Sequence, residues 1–381
     1  MNILFLDQYS DLGGAQQVLL DTLDATTERG WHAHVLIPAP GPLWDEVRSR
    51  GVSVSTISCG QYRARRKSAG DAMRFPFDVS RQVTTINLLT RRGEFDLIYV
   101  NGPRLLPAVA LARGRDARVV FHAHSHVKQK FAAWLVGRSV QRAGARVVAC
   151  SHSVAEPLRT YTNELCVIPN GVRDMGFHHR DFGRDGKWRI GLIGRIAPEK
   201  GQTEFLRAAA RLQADLPGAE FLICGAPLFG ASDRYSNEAH TIARGLPVRF
   251  LEWQADVSRV LHTLDLLVVP SIQEGMGRVA LEAFSAGVPV IAFPTGGIPE
   301  IVKNGETGFL TPEVSPEALA ELILEVTSKR ELLQQVVFNV RRVWQCSYTT
   351  ASYKERITRL LESLASANSS EGEKEALPQP Q

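Results

Sequence analysis

Two basic side chains, Arg195 and Lys200, lie five residues apart in the segment 194–201, GRIAPEKG, between a strand-like run and a helical stretch. An arginine fork combined with a lysine point charge can hold a diphosphate group. The segment is neither a Walker A loop nor a G-x-G-x-x-G fingerprint. We therefore predict an anion site at Gly194, Arg195 and Lys200, and two solvated loop cations are the alternative.

Two carboxylates stand eight residues apart in the segment 270–283, PSIQEGMGRVALEA. On a helix this spacing would give up to ~12 Å of rise, comparable with the span from a nucleotide ribose to a sugar on the same diphosphate. Carboxylates accept hydrogen bonds from paired hydroxyls, and the intervening glycines allow a phosphate to approach the backbone. An ordinary helix start with a surface glutamate is the alternative. The residues predicted to bind such a ligand are Glu274, Gly275, Met276, Gly277, Arg278, Val279 and Glu282.

A glycine pair, Gly13 and Gly14, follows the first strand-like run and precedes a helical stretch that starts at Ala15. Paired glycines let a ligand approach the backbone closely, and the free N–H groups of a helix start suit phosphate. The pair therefore predicts a second anion contact, with a plain tight turn as the alternative.

Three histidines, His122, His124 and His126, alternate at the end of another strand-like run. Alternation places side chains on one side of a strand, and three such histidines could bind zinc. Since no carboxylate or cysteine is close in sequence, we favour one substrate-contacting histidine and expect no metal site.

Short β-branched runs alternate with amphipathic helical stretches along the chain, which predicts parallel sheets covered on both faces. The alternation stops at 174–187, a polar, glycine-rich and aperiodic segment, and then starts again. The predicted organisation is a first α/β domain at 1–173, a linker at 174–187, a second α/β domain at 188–348, a helix at 349–365 and a disordered tail at 366–381.

The composition of the 381 residues, 44% hydrophobic and 22% charged, is that of a globular protein rather than a disordered or fibrous one. No apolar run reaches the ~18 residues of a membrane span. Five scattered cysteines without C-x-x-C indicate neither zinc nor a disulfide framework and fit a reducing cytoplasm. Residues 1–173 contain 22 Lys and Arg against 14 Asp and Glu, a charge of +8, whereas the remainder has 22 against 26, a charge of −4.

Several motifs together resemble glycosyltransferase family 4. Glu274 is followed after seven residues by Glu282 and then by Ala-x-x-x-Gly-x-Pro-x-Ile. The other matching motifs, in chain order, are Gly13-Gly14-Ala15, Pro169-Asn170-Gly171-Val172, Gly194-Arg195 with Lys200-Gly201, and Gly296-Gly297-x-Pro-Glu300. The resemblance covers roughly residues 2–365.

The resemblance implies an α/β protein of the GT-B class, with two Rossmann-like doubly wound domains facing across a cleft. The second domain would bind a nucleotide-diphospho sugar and the first an acceptor, and the C-terminal helix would cross back onto the first domain. It implies hexose transfer with retention and without a metal cofactor, to a cell-surface glycan or glycolipid precursor. The leaving phosphate would itself take the acceptor proton.

The resemblance also implies roles for particular side chains. Arg195 and Lys200 would stabilise the departing diphosphate, Glu274 would contact the sugar, and Glu282 would hold the ribose. His124 best fits the family position near the sugar and the acceptor hydroxyl, and His122 is the second choice. The implied catalytic residues are therefore His124, Arg195, Lys200 and Glu274.

Basic residues mixed with aromatic ones suggest contact with an anionic membrane surface, which would place the protein at the inner face of the membrane. The residues concerned are Arg63, Arg65, Arg66, Lys67, Lys128, Lys130, Arg138 and Arg142, near Phe131 and Trp134. A solvated basic face over an ordinary core helix is the alternative, and an anionic acceptor would favour the same charge. Nucleic acid is not expected, because no binding motif accompanies the arginines.

Two other functions are compatible with the same two-domain shape. A nucleotide-sugar 2-epimerase or hydrolase would act on the donor without an acceptor, and a non-catalytic protein would only bind the nucleotide sugar. The complete charged set of Arg195, Lys200, Glu274 and Glu282 favours transfer over both.

Overall fold

The computed structural model describes residues 1–60, 69–91, 94–112, 117–227 and 233–375. These residues form two compact units. The first contains the chain up to Pro169 and again from Ala351 onward, and the second contains Asn170–Thr350. The predicted domain boundary after residue 173 thus falls a few residues beyond the observed one.

The first unit is a seven-stranded parallel sheet in the order β3-β2-β1-β4-β5-β6-β7. Its strands are β1 (Asn2–Asp7), β2 (His32–Ile37), β3 (Ser53–Thr56), β4 (Leu97–Asn101), β5 (Arg118–Ala123), β6 (Arg146–Ala149) and β7 (Leu165–Val167). Its helices are α1 (Gly14–Glu28), α2 (Pro42–Ser49), α3 (Ala69–Thr90), α4 (Leu106–Leu111), α5 (Lys130–Ala143) and α6 (His152–Ala155). Every residue of β4 is buried, as expected for a parallel strand covered on both faces.

The second unit is a six-stranded parallel sheet in the order β10-β9-β8-β11-β12-β13. Its strands are β8 (Arg189–Ile193), β9 (Glu220–Cys224), β10 (Val248–Leu251), β11 (Leu266–Val269), β12 (Val290–Ala292) and β13 (Phe309–Leu310). Its helices are α7 (Gln202–Leu212), α8 (Asp233–Ile242), α9 (Ser258–Thr263), α10 (Arg278–Ala286), α11 (Ile298–Ile301), α12 (Pro316–Thr327) and α13 (Arg330–Ser347).

Strand order reverses direction once in each sheet. In the first unit β1 lies between β2 and β4, and in the second β8 lies between β9 and β11. Open parallel sheets bind ligands beyond the carboxyl ends of the strands at such a reversal. The loops after β1, β4, β8 and β11 are therefore where chemistry is expected.

The segment 174–187, for which the sequence predicts a linker, packs into the second unit. Arg180 is buried, and its guanidinium donates hydrogen bonds to the carbonyl oxygens of Gly287 at 2.7 Å and Ala286 at 3.1 Å, and also to that of Leu264. These carbonyls lie at or just after the ends of α9 and α10, where helices leave backbone acceptors without intrahelical partners. The buried guanidinium of Arg180 thus anchors the segment 174–187, although the polar sequence of this segment predicts a solvent-exposed linker.

The last helix, α14 (Thr350–Glu375), ends ten residues beyond the predicted 349–365, so the predicted disorder of 366–375 is not what the structure describes. Residues 376–381 lie outside the described residues. Tyr353, Ile357 and Leu361 are buried in the core of the first unit. The hydroxyl of Tyr353 lies 2.7 Å from that of Thr22 on α1. The apolar stripe seen in the sequence is therefore a packing stripe. Across the described ranges, no helix is both long and apolar enough to cross a membrane.

Candidate active site

The loop after β8 is fixed against the end of β11 by glycine. Gly201 has a φ of +71°, and a Cβ there would lie 1.9 Å from the carbonyl oxygen of Pro270. Buried Gln202 donates a hydrogen bond to the carbonyl oxygen of Arg195 at 2.8 Å, which ties the loop to the start of α7. Any side chain at residue 201 would separate Lys200 from the segment that carries Glu274.

The structure brings Lys200 and Glu274 together. The Lys200 Nζ atom lies 2.5 Å from Glu274 Oε2, and the Ser271 hydroxyl donates to the same oxygen at 3.1 Å. The two charged side chains are only 23% and 12% exposed, respectively. A residue predicted to hold phosphate and one predicted to hold sugar thus occupy a single, mostly covered position.

Arg195 forms an ion pair with Glu199, a carboxylate that the sequence analysis missed. Burial works against ionisation of Glu199, but the guanidinium of Arg195 and the ammonium of Lys200 favour it, and the pKa of Glu199 falls below its ordinary value. Each of the two predicted cations therefore has a carboxylate partner. A bound anion would compete with those carboxylates for the two cations.

Two further glycines position the backbone around Glu274. Gly296 has a φ of +56°, and a Cβ there would lie 1.7 Å from the Glu274 carbonyl oxygen, which also accepts a hydrogen bond from the Gly297 N–H at 3.3 Å. Gly277 adopts a φ of +88° just before α10, and a Cβ on it would lie 2.4 Å from Ile298. The glycines at 275–277 and 296–297 therefore allow the two loops that contain them to pack directly against each other.

Glu282 lies within α10, as predicted, and contacts a different cation from Glu274. Its Oε1 atom accepts a hydrogen bond from Arg278 Nε at 3.2 Å, and Arg278 also donates to the carbonyl oxygen of Gly171 at 2.9 Å. Met276 is buried, and its sulfur accepts a hydrogen bond from the Asn170 N–H at 3.2 Å. The two predicted carboxylates thus belong to separate groups within the second unit.

In the first unit, a buried polar group joins the ends of β1, β4 and β5. Asn101 Nδ2 donates to Asp7 Oδ2 at 2.6 Å, and Gln16 Nε2 donates to both Asp7 oxygens at 3.1 Å. His124 Nε2 lies 2.7 Å from Asn101 Oδ1. Burial raises the pKa of Asp7 from 3.8 to about 6, and the hydrogen bonds from Asn101 and Gln16 limit that rise.

The predicted glycine pair adjoins this group. α1 begins at Gly14, with Gly13 before it in extended conformation and no side chain capping the helix. The carbonyl oxygen of Ala15 accepts a hydrogen bond from Asn101 Nδ2 at 3.3 Å. The first turn of α1 is thereby held next to Asp7 and His124.

The three histidines have three different environments. His122 is fully buried with its Nδ1 atom 2.6 Å from the Tyr99 hydroxyl, and its ring centroid lies 4.0 Å from that of His124. His126 instead contacts the Ser153 hydroxyl at 3.1 Å. Burial lowers the pKa of His124 to about 3, so this imidazole is neutral at neutral pH. Within the part of the chain that is described, no three His, Cys, Asp or Glu side chains are arranged to hold a metal ion.

The basic surface predicted from the sequence is described only in part, since Arg63, Arg65, Arg66 and Lys67 lie outside the described residues. At the start of α5, Phe131 and Trp134 are 72% and 51% exposed and stack with ring centroids 5.8 Å apart. All four predicted cations there, Lys128, Lys130, Arg138 and Arg142, are exposed as well. Arg142 in addition donates a hydrogen bond from its Nε to the Ala110 carbonyl oxygen on α4 at 3.1 Å.

Comparison with protein families identifies the class of enzyme. Residues 12–174 match the model described as Glycosyltransferase Family 4, and residues 175–343 match the model described as Glycosyl transferases group 1. Together these matches cover both α/β units, and the chain belongs to this family of glycosyltransferases. The family resemblance, the enzyme class and the two-domain Rossmann-like fold predicted from the sequence are thus confirmed.

Individual proteins similar to this chain share 19% to 28% of its sequence in the three comparisons that follow. The chain is 28% identical to a D-inositol 3-phosphate glycosyltransferase of Geodermatophilus obscurus, over 94% of this chain and 87% of that protein. The crystal structure of Anabaena Alr3699/HepE in complex with UDP-glucose is 25% identical, with a TM-score of 0.79 over 95% of this chain and 100% of the other. A sucrose-phosphate synthase from Thermosynechococcus elongatus, at 19% identity and a TM-score of 0.77 over 96% and 99% of the two chains, shares the fold.

Proposed function

We propose that this glycosyltransferase moves a hexose from a nucleotide-diphospho sugar to a hydroxyl group of an anionic acceptor, with retention at the anomeric carbon. The observation that carries the proposal is the group formed by Arg195, Glu199, Lys200 and Glu274 at the strand reversal of the second sheet. Two cations at this edge meet the charge that develops on a departing diphosphate, and such contacts accelerate the reaction when they are strongest in the transition state.

The ion pairs give the proposal a binding step. A diphosphate would replace Glu199 and Glu274 as the partner of Arg195 and Lys200. Glu274 would then be available to accept hydrogen bonds from the sugar hydroxyls and to stabilise the oxocarbenium-like centre. Glu282, together with Arg278, would contact the ribose. With both cations supplied by the protein, the step needs no metal ion.

The acceptor chemistry follows from charge and from the relatives. The family resemblance implies a cell-surface glycan or glycolipid, whereas the relative named above, a D-inositol 3-phosphate glycosyltransferase, favours a small phosphorylated polyol. The charge of +8 on residues 1–173 is complementary to such an anion. For the donor, the Anabaena complex with UDP-glucose makes uridine diphosphate sugars the first choice.

The test is a donor and acceptor panel on purified protein. A true donor or its nucleoside diphosphate at a hundred times its dissociation constant should stabilise the protein by about 2.7 kcal/mol. Each donor that raises the melting temperature is then incubated with D-inositol 3-phosphate, free inositol and a lipid-linked glycan, and the anomeric configuration of the product is read by NMR.

The outcomes separate the possible reactions. Product that forms with the phosphorylated polyol, and with retained configuration, supports the proposal. An inverted product refutes retention, and transfer to the lipid-linked glycan alone refutes the acceptor class. Epimerised or hydrolysed donor without any acceptor product would identify the alternative epimerase or hydrolase.

A further inference from the structure

Asn101, the last residue of β4, makes hydrogen bonds in which each donor and each acceptor atom can be assigned. Asn101 is 2% exposed. An ionised carboxylate can only accept hydrogen bonds, so the Asn101 amide nitrogen must face Asp7, where the distance is 2.6 Å. The same nitrogen also donates to the Ala15 carbonyl oxygen at 3.3 Å. Both amide hydrogens are therefore used, and the amide oxygen faces His124.

This orientation determines which nitrogen of His124 carries the proton. The Asn101 Oδ1 atom, an acceptor, lies 2.7 Å from His124 Nε2, so Nε2 must be the donor. Since the ring is neutral, Nδ1 then carries a lone pair and no hydrogen. Nδ1 is buried and has no hydrogen-bond partner among the described residues. The ring of His122, tilted by 39° and 4.0 Å away between centroids, packs against the imidazole and restricts its rotation.

We propose that Asn101 is a positioning residue: held by Asp7, it keeps His124 in the Nε2–H tautomer and so presents Nδ1 as the acceptor for a hydroxyl of the sugar or of the acceptor substrate. A buried acceptor without a partner is costly and is expected to find a donor in the bound state. This inference rests on the proposed function and on the contact between His124 and substrate that the family resemblance implies.

Tautomer is measured directly by NMR of isotope-labelled histidine nitrogens at neutral pH, with His124 assigned by its loss in His124→Ala. The inference predicts that wild-type His124 has a protonated Nε2 and an unprotonated Nδ1, and that Asn101→Leu abolishes this preference. A wild-type His124 with protonated Nδ1, or an unchanged spectrum in Asn101→Leu, overturns the inference.

A rescue variant separates positioning from packing, because Asn101→Leu also removes a donor to a buried carboxylate and can weaken folding. In the exchange variant, Asp7→Asn with Asn101→Asp, the carboxylate moves to residue 101 and still accepts the Nε2 hydrogen, while the new amide at residue 7 donates to it. The exchange should restore the Nε2–H tautomer. Failure to restore it in a folded protein overturns the inference.

Turnover supplies the functional readout. Asn101→Leu should lower kcat by about tenfold or more, the scale on which removal of a partner that orients an imidazole acts in other sites, and should leave donor KM nearly unchanged. In a His124→Ala background the same substitution should change kcat less than twofold. An undiminished effect in that background shows that Asn101 does not act through His124. If His124→Ala alone has wild-type turnover, the proposed role of His124 fails, while the tautomer measurement still tests the Asn101 contact.

Discussion

Glu274→Gln and Glu282→Gln should impair different properties of the enzyme: the first should lower kcat, and the second should weaken nucleotide binding. In the ligand-free protein Glu274 competes with a diphosphate for Lys200, which it contacts at 2.5 Å. Glu274→Gln removes that competition at a pair whose side chains are only 23% and 12% exposed. Free nucleoside diphosphate should therefore bind the variant at least as tightly as wild type. Because contacts to the sugar that strengthen in the transition state are lost, kcat should fall on the order of 10²-fold.

Glu282→Gln is the matched comparison, since it also replaces one carboxylate that is paired with a cation, here Arg278 at 3.2 Å. A lost charged hydrogen bond to the ribose costs about 1.5–3 kcal/mol, so this variant should bind nucleoside diphosphate roughly 10- to 150-fold more weakly. Donor KM should rise while kcat changes little.

Calorimetric titration of uridine diphosphate into wild type and both variants decides between the two roles, with kcat and donor KM measured on the same preparations. The result that refutes the reasoning is the reverse pattern, in which Glu274→Gln loses nucleotide affinity and Glu282→Gln retains it. Equal losses in both variants would also contradict separate sugar and ribose contacts.

Three further predictions concern pH, metal ions and membranes. Burial raises the pKa of Asp7 from 3.8 to about 6. Protonation of Asp7 therefore stabilises the fold below pH 3.8 by about 3 kcal/mol, at 1.36 kcal/mol per pKa unit. This stabilisation is lost as the pH rises through 6. Denaturant unfolding should therefore show Asp7→Asn gaining stability relative to wild type between pH 4 and 7, and a constant difference would contradict the buried charge. Transfer should survive EDTA, whereas activity abolished by the chelator and restored by a divalent ion would show that the reaction requires a metal ion. Sedimentation with anionic vesicles should decrease as salt rises and should weaken when Phe131 and Trp134 are both changed to serine, and no binding at low salt would favour the solvated-face interpretation.

Much of the site was predictable because parallel α/β sheets concentrate polar residues at strand ends. The runs at Arg189–Ile193 and Leu266–Val269 are apolar and short, and each is followed by charged residues and glycines. This pattern alone predicts that Lys200 and Glu274 lie at the same edge of one sheet. It could not reveal that the two side chains contact each other, because that depends on the close backbone approach at Gly201 and Gly296.

The residues that were missed had weaker signals. Glu199 stands four residues after Arg195, a spacing that allows an ion pair, but the carboxylate was interpreted only as part of the loop. Asp7 and Asn101 each end an otherwise apolar buried strand, which was the available sign of a polar group at the sheet edge. Arg180 looked like a solvated linker residue, because the carbonyl oxygens that bind it come from residues more than 80 positions away.

The central claim is that Arg195 and Lys200 stabilise the departing diphosphate, and single-turnover kinetics on Arg195→Ala and Lys200→Ala test it most directly. With saturating donor and acceptor, each variant should transfer sugar on the order of 10²-fold more slowly than wild type, the scale for one lost transition-state contact. Arg211→Ala is the matched control, because Arg211 also pairs with a glutamate, Glu317, but is more than half exposed in the last turn of α7. The account predicts near-normal transfer in that control, and near-normal transfer in both site variants would contradict the account.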